Sequence, residues 1–225
     1  MKPVFVLPVV ILLFVSCAGL PTLYPVNPSL TPAVRKACAL HFADGKWRLV
    51  HSIEATLPNG EKRFVIGVSL IDTQADTIDS VIMTVEGLVI FEARYDSSGI
   101  FTRRAVPPFD SPKFARGLLN DVRLVFFEPQ TESVVTGIDR DNRTVCRYRN
   151  QEGSVTDIMS HAGNGWEIRQ YNPNTKLSRR VVADSCRQTP QDHQQTFACR
   201  MELSTYGPAP YTLYMQLLEA EALNE

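Results

Sequence analysis

A chain of 225 residues with 44% hydrophobic residues is long enough for one ordinary globular domain, and no internal repeat divides it. Lys and Arg number 23 against 24 Asp and Glu, so a formal charge of −1 supplies no basic field for nucleic acid and no polybasic arm. Nucleic acid is therefore excluded as a partner, and attention moves to the order of elements along the chain.

The first segment is an export signal. Met1-Lys2 is a short basic start, Val4 to Val15 is an apolar run interrupted only by Pro8, and small Ser16 precedes Cys17. An apolar run of about a dozen residues is too short to cross ~30 Å of hydrocarbon but suits a signal peptide. Leu13-Phe14-Val15-Ser16-Cys17 resembles the lipobox of bacterial lipoproteins, with Phe14 where an aliphatic residue is usual. The resemblance implies a signal peptide over 1–16 and lipid attachment at Cys17, the lipid holding the chain to a membrane. Ala18, not Asp, follows Cys17, which directs the expectation to a periplasm-facing outer-membrane anchor. An ordinary cysteine near an ordinary cleavage site is the plainer alternative.

Pro21, Pro25, Pro28 and Pro32 make the next stretch an extended tether lifting the body off the bilayer, so 17–33 is assigned as tether and 34–225 as a single domain. Val34 to Ala43 predicts a short helix. From Trp47 the pattern becomes short β segments. Trp47–Leu57 leads through Pro58-Asn59-Gly60-Glu61 into Lys62–Ile71, followed by Ile78–Glu86, Leu88–Tyr95 and Ile100–Val106. Ser111 is an N-cap and Pro112 a first-turn residue for an amphipathic helix carrying Phe114, Leu118, Leu119, Val122 and Phe126, closed by Pro129. Val134–Ile138, Arg143–Arg149, Val155–Ser160, Trp166–Tyr171, Leu177–Ala183, Phe197–Ser204 and Tyr211–Leu218 continue as strands. The fold class is mainly β, an antiparallel sheet curled round one or two short helices.

Four cysteines remain after Cys17: Cys38, Cys146, Cys186 and Cys199. An even count in an exported chain favours disulfides, with three possible pairings. Cys186–Cys199 is favoured because it brackets a polar stretch, leaving Cys38–Cys146 by elimination; buried free thiols are the alternative.

Catalytic signals are weak. There is no G-x-S-x-G, no Gly-rich phosphate cradle and no CxxC. His41, His51, His161 and His193 lack metal-ligand spacing and read as surface residues. Asp139-Arg140-Asp141-Asn142 lacks the glycine and distal glutamate of a calcium loop and reads as a turn. The expectation is a protein that is not an enzyme and has no cofactor.

What remains is apolar supply. Phe64, Ile66, Val68 and Leu70 alternate on one face, and Ile82, Leu88, Ile90 and the helix row are expected opposite them. Two readings stay open: plain core packing, or an incompletely filled cavity with the helix as lid.

The run Gly87-Leu88-Val89-Ile90-Phe91-Glu92-Ala93-Arg94-Tyr95-Asp96, then Arg104 to Pro112 and Leu118 to Leu124, is similar to a family of bacterial lipoproteins related to the lipoprotein-sorting proteins LolA and LolB. The resemblance covers residues ~60–130 and implies an unclosed antiparallel β-barrel, helices plugging one mouth, and an apolar interior for acyl chains. LolB-type receptors also use an exposed apolar residue on a protruding loop at the membrane. Asp72–Asp76 is polar, and Leu88 beside Gly87 is expected in the core instead. The implied role is a membrane-anchored carrier or acceptor of a lipid or acylated ligand. The alternative is a structural lipoprotein with a filled core that binds another envelope protein.

Overall fold

The computed structural model describes residues 19–131, 133–160, 165–185 and 197–223. The signal segment, Cys17, His161, Cys186, His193 and the polar stretch before Cys199 lie outside them. Helix α1 (Thr31–Ala39) follows strand β1 (Tyr24–Pro25), and helix α2 (Pro112–Phe126) separates two antiparallel meanders. The first runs through β2 (Lys46–Thr56), β3 (Lys62–Asp72), β4 (Thr77–Met83), β5 (Val89–Asp96) and β6 (Gly99–Ala105). The second runs through β7 (Ser133–Ile138), β8 (Thr144–Arg149), β9 (Val155–Ser160), β10 (Gly165–Tyr171), β11 (Leu177–Ser185), β12 (Ala198–Thr205) and β13 (Thr212–Ala222).

Strand β13 returns to pair with β2, so the described residues form one 13-stranded sheet in the order β1-β7-β8-β9-β10-β11-β12-β13-β2-β3-β4-β5-β6. Its edges, β1 and β6, do not pair with each other; the barrel is unclosed, as the sequence led us to expect. Twist accumulated over so many strands curls the sheet, and helix α2, running from β6 to β7, crosses the concave face.

Local chemistry accounts for the elements. Gly60, at φ 80°, turns the β2–β3 hairpin, where any side chain would be strained. Ser111 caps α2 by accepting a hydrogen bond from the Phe114 N–H at 3.1 Å. Helix α2 then buries Ala115, Leu119, Leu124, Val125 and Phe126, each large side chain contributing ~1.5–3 kcal/mol. Helix α1 starts earlier than the predicted Val34, because a 3₁₀ turn at Pro28–Leu30, capped by Asn27, delivers Pro32 to its first turn.

The stretch expected to be a free tether is instead part of the body from Pro21 onward. Pro21 O accepts from Arg147 Nη2 at 2.9 Å, and Leu23 lies over Gly137, where a Cβ would come within 2.7 Å of Leu23 Cβ. Tyr24 and Pro25 pair with Ile138 and Gly137. Proline spacing signals an extended chain, but an extended chain can also serve as an edge strand.

The outward face of β8–β11 carries an ion-pair network. Glu167 is fully buried and accepts from Arg169 and Arg180 at 2.6 Å each and from Arg143 at 3.3 Å. Burial pushes its carboxyl up, but the hydrogen bonds and charges of Arg180 and Arg169 outweigh that and hold it at about 2.

Candidate functional site

The concave face under α2 is built by alternate residues of the strands. Inward positions are His51 and Ile53 on β2, Gly67 and Ser69 on β3, Ser80 and Ile82 on β4, Leu203 on β12, and Leu213 and Met215 on β13. Leu118, Asp121, Val122, Val125 and Phe126 of α2 cover them, enclosing a cavity of about 60 Å³. Ligand pockets usually have ~300–1,000 Å³, so this space is too small for an ordinary ligand while α2 is seated.

Its floor is unusual in two ways. It includes the small residues Gly67, Ser69 and Ser80, and a Cβ on Gly67 would stand 2.7 Å from Ile53 Cδ1 of β2. It also holds polar atoms without partners, His51 Nε2 and Ser80 Oγ, both buried. Burial lowers His51 to about 4, which keeps the ring neutral near pH 7, tilted against Phe126 at 5.9 Å between centroids. An unpartnered buried polar group costs about 1–3 kcal/mol, so this interface is not optimised for permanent closure.

Asp121 fastens α2 to the sheet. Arg179 Nε on β11 donates to its Oδ1 at 2.5 Å, and the Tyr211 hydroxyl donates to Oδ2. Arg179 Nη1 also donates to Gln170 at 3.2 Å. Burial pushes the Asp121 carboxyl above the usual carboxylate range against the pull of Arg179 and Tyr211. Burial and the neighbouring Asp121 charge push Tyr211 up, so it stays a donor. On the far side of this cluster lies a cleft of about 940 Å³ with mixed polar and apolar lining, including Asn120, Arg123, Phe127, Tyr148, Gln170 and Arg179. The Asp121–Arg179–Tyr211 cluster thus divides an almost closed space from a wide, wet one.

The predicted lining residues divide into two groups. Ile82, Phe114, Leu118, Leu119, Val122 and Phe126 are in or against the core beneath α2, and Ile90 packs on it. Phe64, Ile66, Val68 and Leu70 are not: they pair across from Glu54, Ser52, Val50 and Arg48 on the outward face, and Phe64 is 62% exposed. The bulkier phase of β3 was expected inward, but the inward phase is the one with Gly67 and Ser69, and the Ile53 side chain of β2 takes the space that a side chain at Gly67 would need. Phe64 and Ile66 instead line an outward groove of about 630 Å³ with Val182, Tyr214, Arg180 and Arg200. Leu88 is a second correction. It is 61% exposed, with Val85, on the β4–β5 turn beside Gly87, because Thr84 and Leu88 close that turn through their backbones at 2.9 Å.

Two histidines expected at the surface are interior. His51 is buried, and His41, partly buried against Trp166, is also lowered to about 4 by burial. Sequence reasoning missed Asp121, Arg179 and Tyr211 as well. The available signal was Asp121 itself, one acid within the buried stripe of an amphipathic helix. Cys38 and Cys146 form a disulfide that ties α1 to β8. Cys199 is also disulfide-bonded, and Cys186 lies outside the described residues. Among the described residues no three His, Cys, Asp or Glu side chains are grouped to hold a metal ion.

No protein-family model and no curated protein matches the chain. Solved structures do. A LolA-superfamily protein from Nitrosomonas europaea aligns with a TM-score of 0.55 and 8% identity, covering 87% of this chain and 94% of that one. A domain named for outer membrane lipoprotein sorting, from Vibrio parahaemolyticus, aligns with a TM-score of 0.52 and 12% identity, covering 86% and 93%. The chain therefore has a LolA-like fold, in agreement with the resemblance drawn from its sequence.

Proposed function

We propose that this chain is an envelope lipoprotein, held to the outer membrane by an acylated Cys17, that accepts an acyl chain or an acylated partner beneath α2 without catalysing a reaction. The observation that carries this reading is the interface under α2. A helix is clamped by the Asp121 cluster and by an Arg123–Asp76 ion pair at 2.6 Å, over a floor with unpartnered His51 and Ser80, next to a cleft of about 940 Å³. A buried ion pair adds little net stability over apolar packing, so such a clamp suits a lid that must open. Once α2 lifts, each buried methylene contributes ~0.8 kcal/mol, giving affinity with little demand on the ligand's head group. Leu88, 61% exposed on the β4–β5 turn and not in the core as expected, is the apolar loop residue placed to make the membrane contact in this reading.

The test is the organic extract of the protein purified from membranes, together with titration by a fluorescent fatty acid. Co-purified lipid and saturable uptake are expected, and Leu88→Glu, a surface change, should leave uptake intact while abolishing transfer between vesicles. A second reading is favoured by the 60 Å³ cavity: a scaffold with a filled core whose lipid is only an anchor. A lipid-free extract and no uptake at any probe concentration would select it.

A further inference from the structure

We infer that the outward face of β7–β8 lies against the bilayer that holds Cys17, with Val135 as its apolar contact residue and phospholipid head groups as its partner. The inference rests on the lipid-anchor reading above and adds an orientation to it. Only Ala18, Gly19 and Leu20 separate Cys17 from Pro21. Pro21 is not free. Its carbonyl accepts from Arg147 Nη2, and Arg147 is itself fixed by two hydrogen bonds to Asp157, at 2.7 and 2.6 Å. Leu23 on Gly137 and the Tyr24–Ile138 and Pro25–Gly137 pairs fasten the next residues, and the Cys38–Cys146 disulfide locks the end of α1.

Residues 21–39 are thus a strap: over the outward face, round the β7 edge and into the concave side. Four residue steps reach at most about 14 Å, so the head-group region stands within that distance of Pro21. A long tether would let any face of the body meet the bilayer; this one keeps the strap side nearest to it. Val135 projects from the same face of β7 as Gly137, on which Leu23 of the strap lies, and is 55% exposed. A half-exposed valine beside the anchored end of the strap stands where the chain is held closest to the head groups.

The experiment uses the full lipidated protein in vesicles of phosphatidylethanolamine and phosphatidylglycerol containing a head-group-labelled quencher lipid. One fluorophore is attached at Val135→Cys, another at Tyr214→Cys. Tyr214 is outward and half exposed on β13, a central strand far along the sheet from β7. Loss of most of the emission at 135 with little loss at 214 is expected. A flexible Gly/Ser spacer of about a dozen residues inserted after Gly19 should erase the difference. The intact mass of the mature chain separates the two ways of failing. An unacylated Cys17 overturns the anchor and the orientation together, whereas an acylated Cys17 with equal quenching at both positions overturns the orientation alone.

Discussion

The two helices on the concave face are fastened by different chemistry. Helix α1 is tied to β8 by the Cys38–Cys146 disulfide, preceded by the docked strap, and has nothing to release it. Helix α2 is held by packing, by Asp121 with Arg179 and Tyr211, and by the Arg123–Asp76 ion pair, over a floor that leaves His51 and Ser80 unpartnered. In the proposed reading the contrast separates a fixture from a lid: one joint is covalent, the other depends on charge and protonation.

Breaking the fixture should have the largest effect on stability and the least on function. Replacing both Cys38 and Cys146 by Ser opens a loop closed over 108 residues and should cost about 4–5 kcal/mol in urea unfolding. Acyl uptake per folded molecule should not change. Breaking the latch should do the reverse. Arg179→Met strands the buried Asp121 carboxylate, costing about 3–4 kcal/mol near neutral pH, and should raise uptake. That loss should shrink in acid, because a carboxyl already pushed above its usual range takes a proton and no longer needs the arginine.

Protonation sharpens the comparison further. Unfolded His51 binds a proton near 6.5, but folded His51 binds one only near 4, so its contribution is complete above 6.5 and is lost as pH falls to 4. That loss is about 3 kcal/mol, and His51→Leu should remove this share, leaving that of His41. Asp121 acts in the opposite sense, gaining protons in the folded state, so the variant is needed to isolate the histidine. Ser80→Ala makes the smallest change. Deleting an unpartnered buried hydroxyl should stabilise the closed form by about 1 kcal/mol and weaken uptake, read from the urea midpoint and a fatty-acid titration.

The order of elements was legible in the sequence because turn residues and period-two runs punctuate it. Ser111 and Pro112 announce α2, and Gly60 the first hairpin. The face of β3 was not legible. Both phases carry apolar residues, and what distinguishes them is how side chains of neighbouring strands fit under the crossing helix: Ile53 of β2 fills the space above Gly67, while Phe64 and Leu70 project outward. Burial of His51 and the partnership of Asp121 with Arg179, 58 positions away, depend on the same crossing and have no local signature. The strap was misread because proline-rich composition describes an extended chain without saying whether a sheet edge is waiting for it.

Hydrogen exchange on the two helices, with and without saturating fatty acid, tests the central claim most directly. The account predicts that the amides from Leu118 to Phe126 in α2 exchange through an opening well below the free energy of global unfolding, that ligand changes their rates, and that Ala37 to Ala39 in α1 are unaffected by ligand. Exchange of α2 only through global unfolding, with no response to fatty acid, would contradict it and leave a closed, filled scaffold.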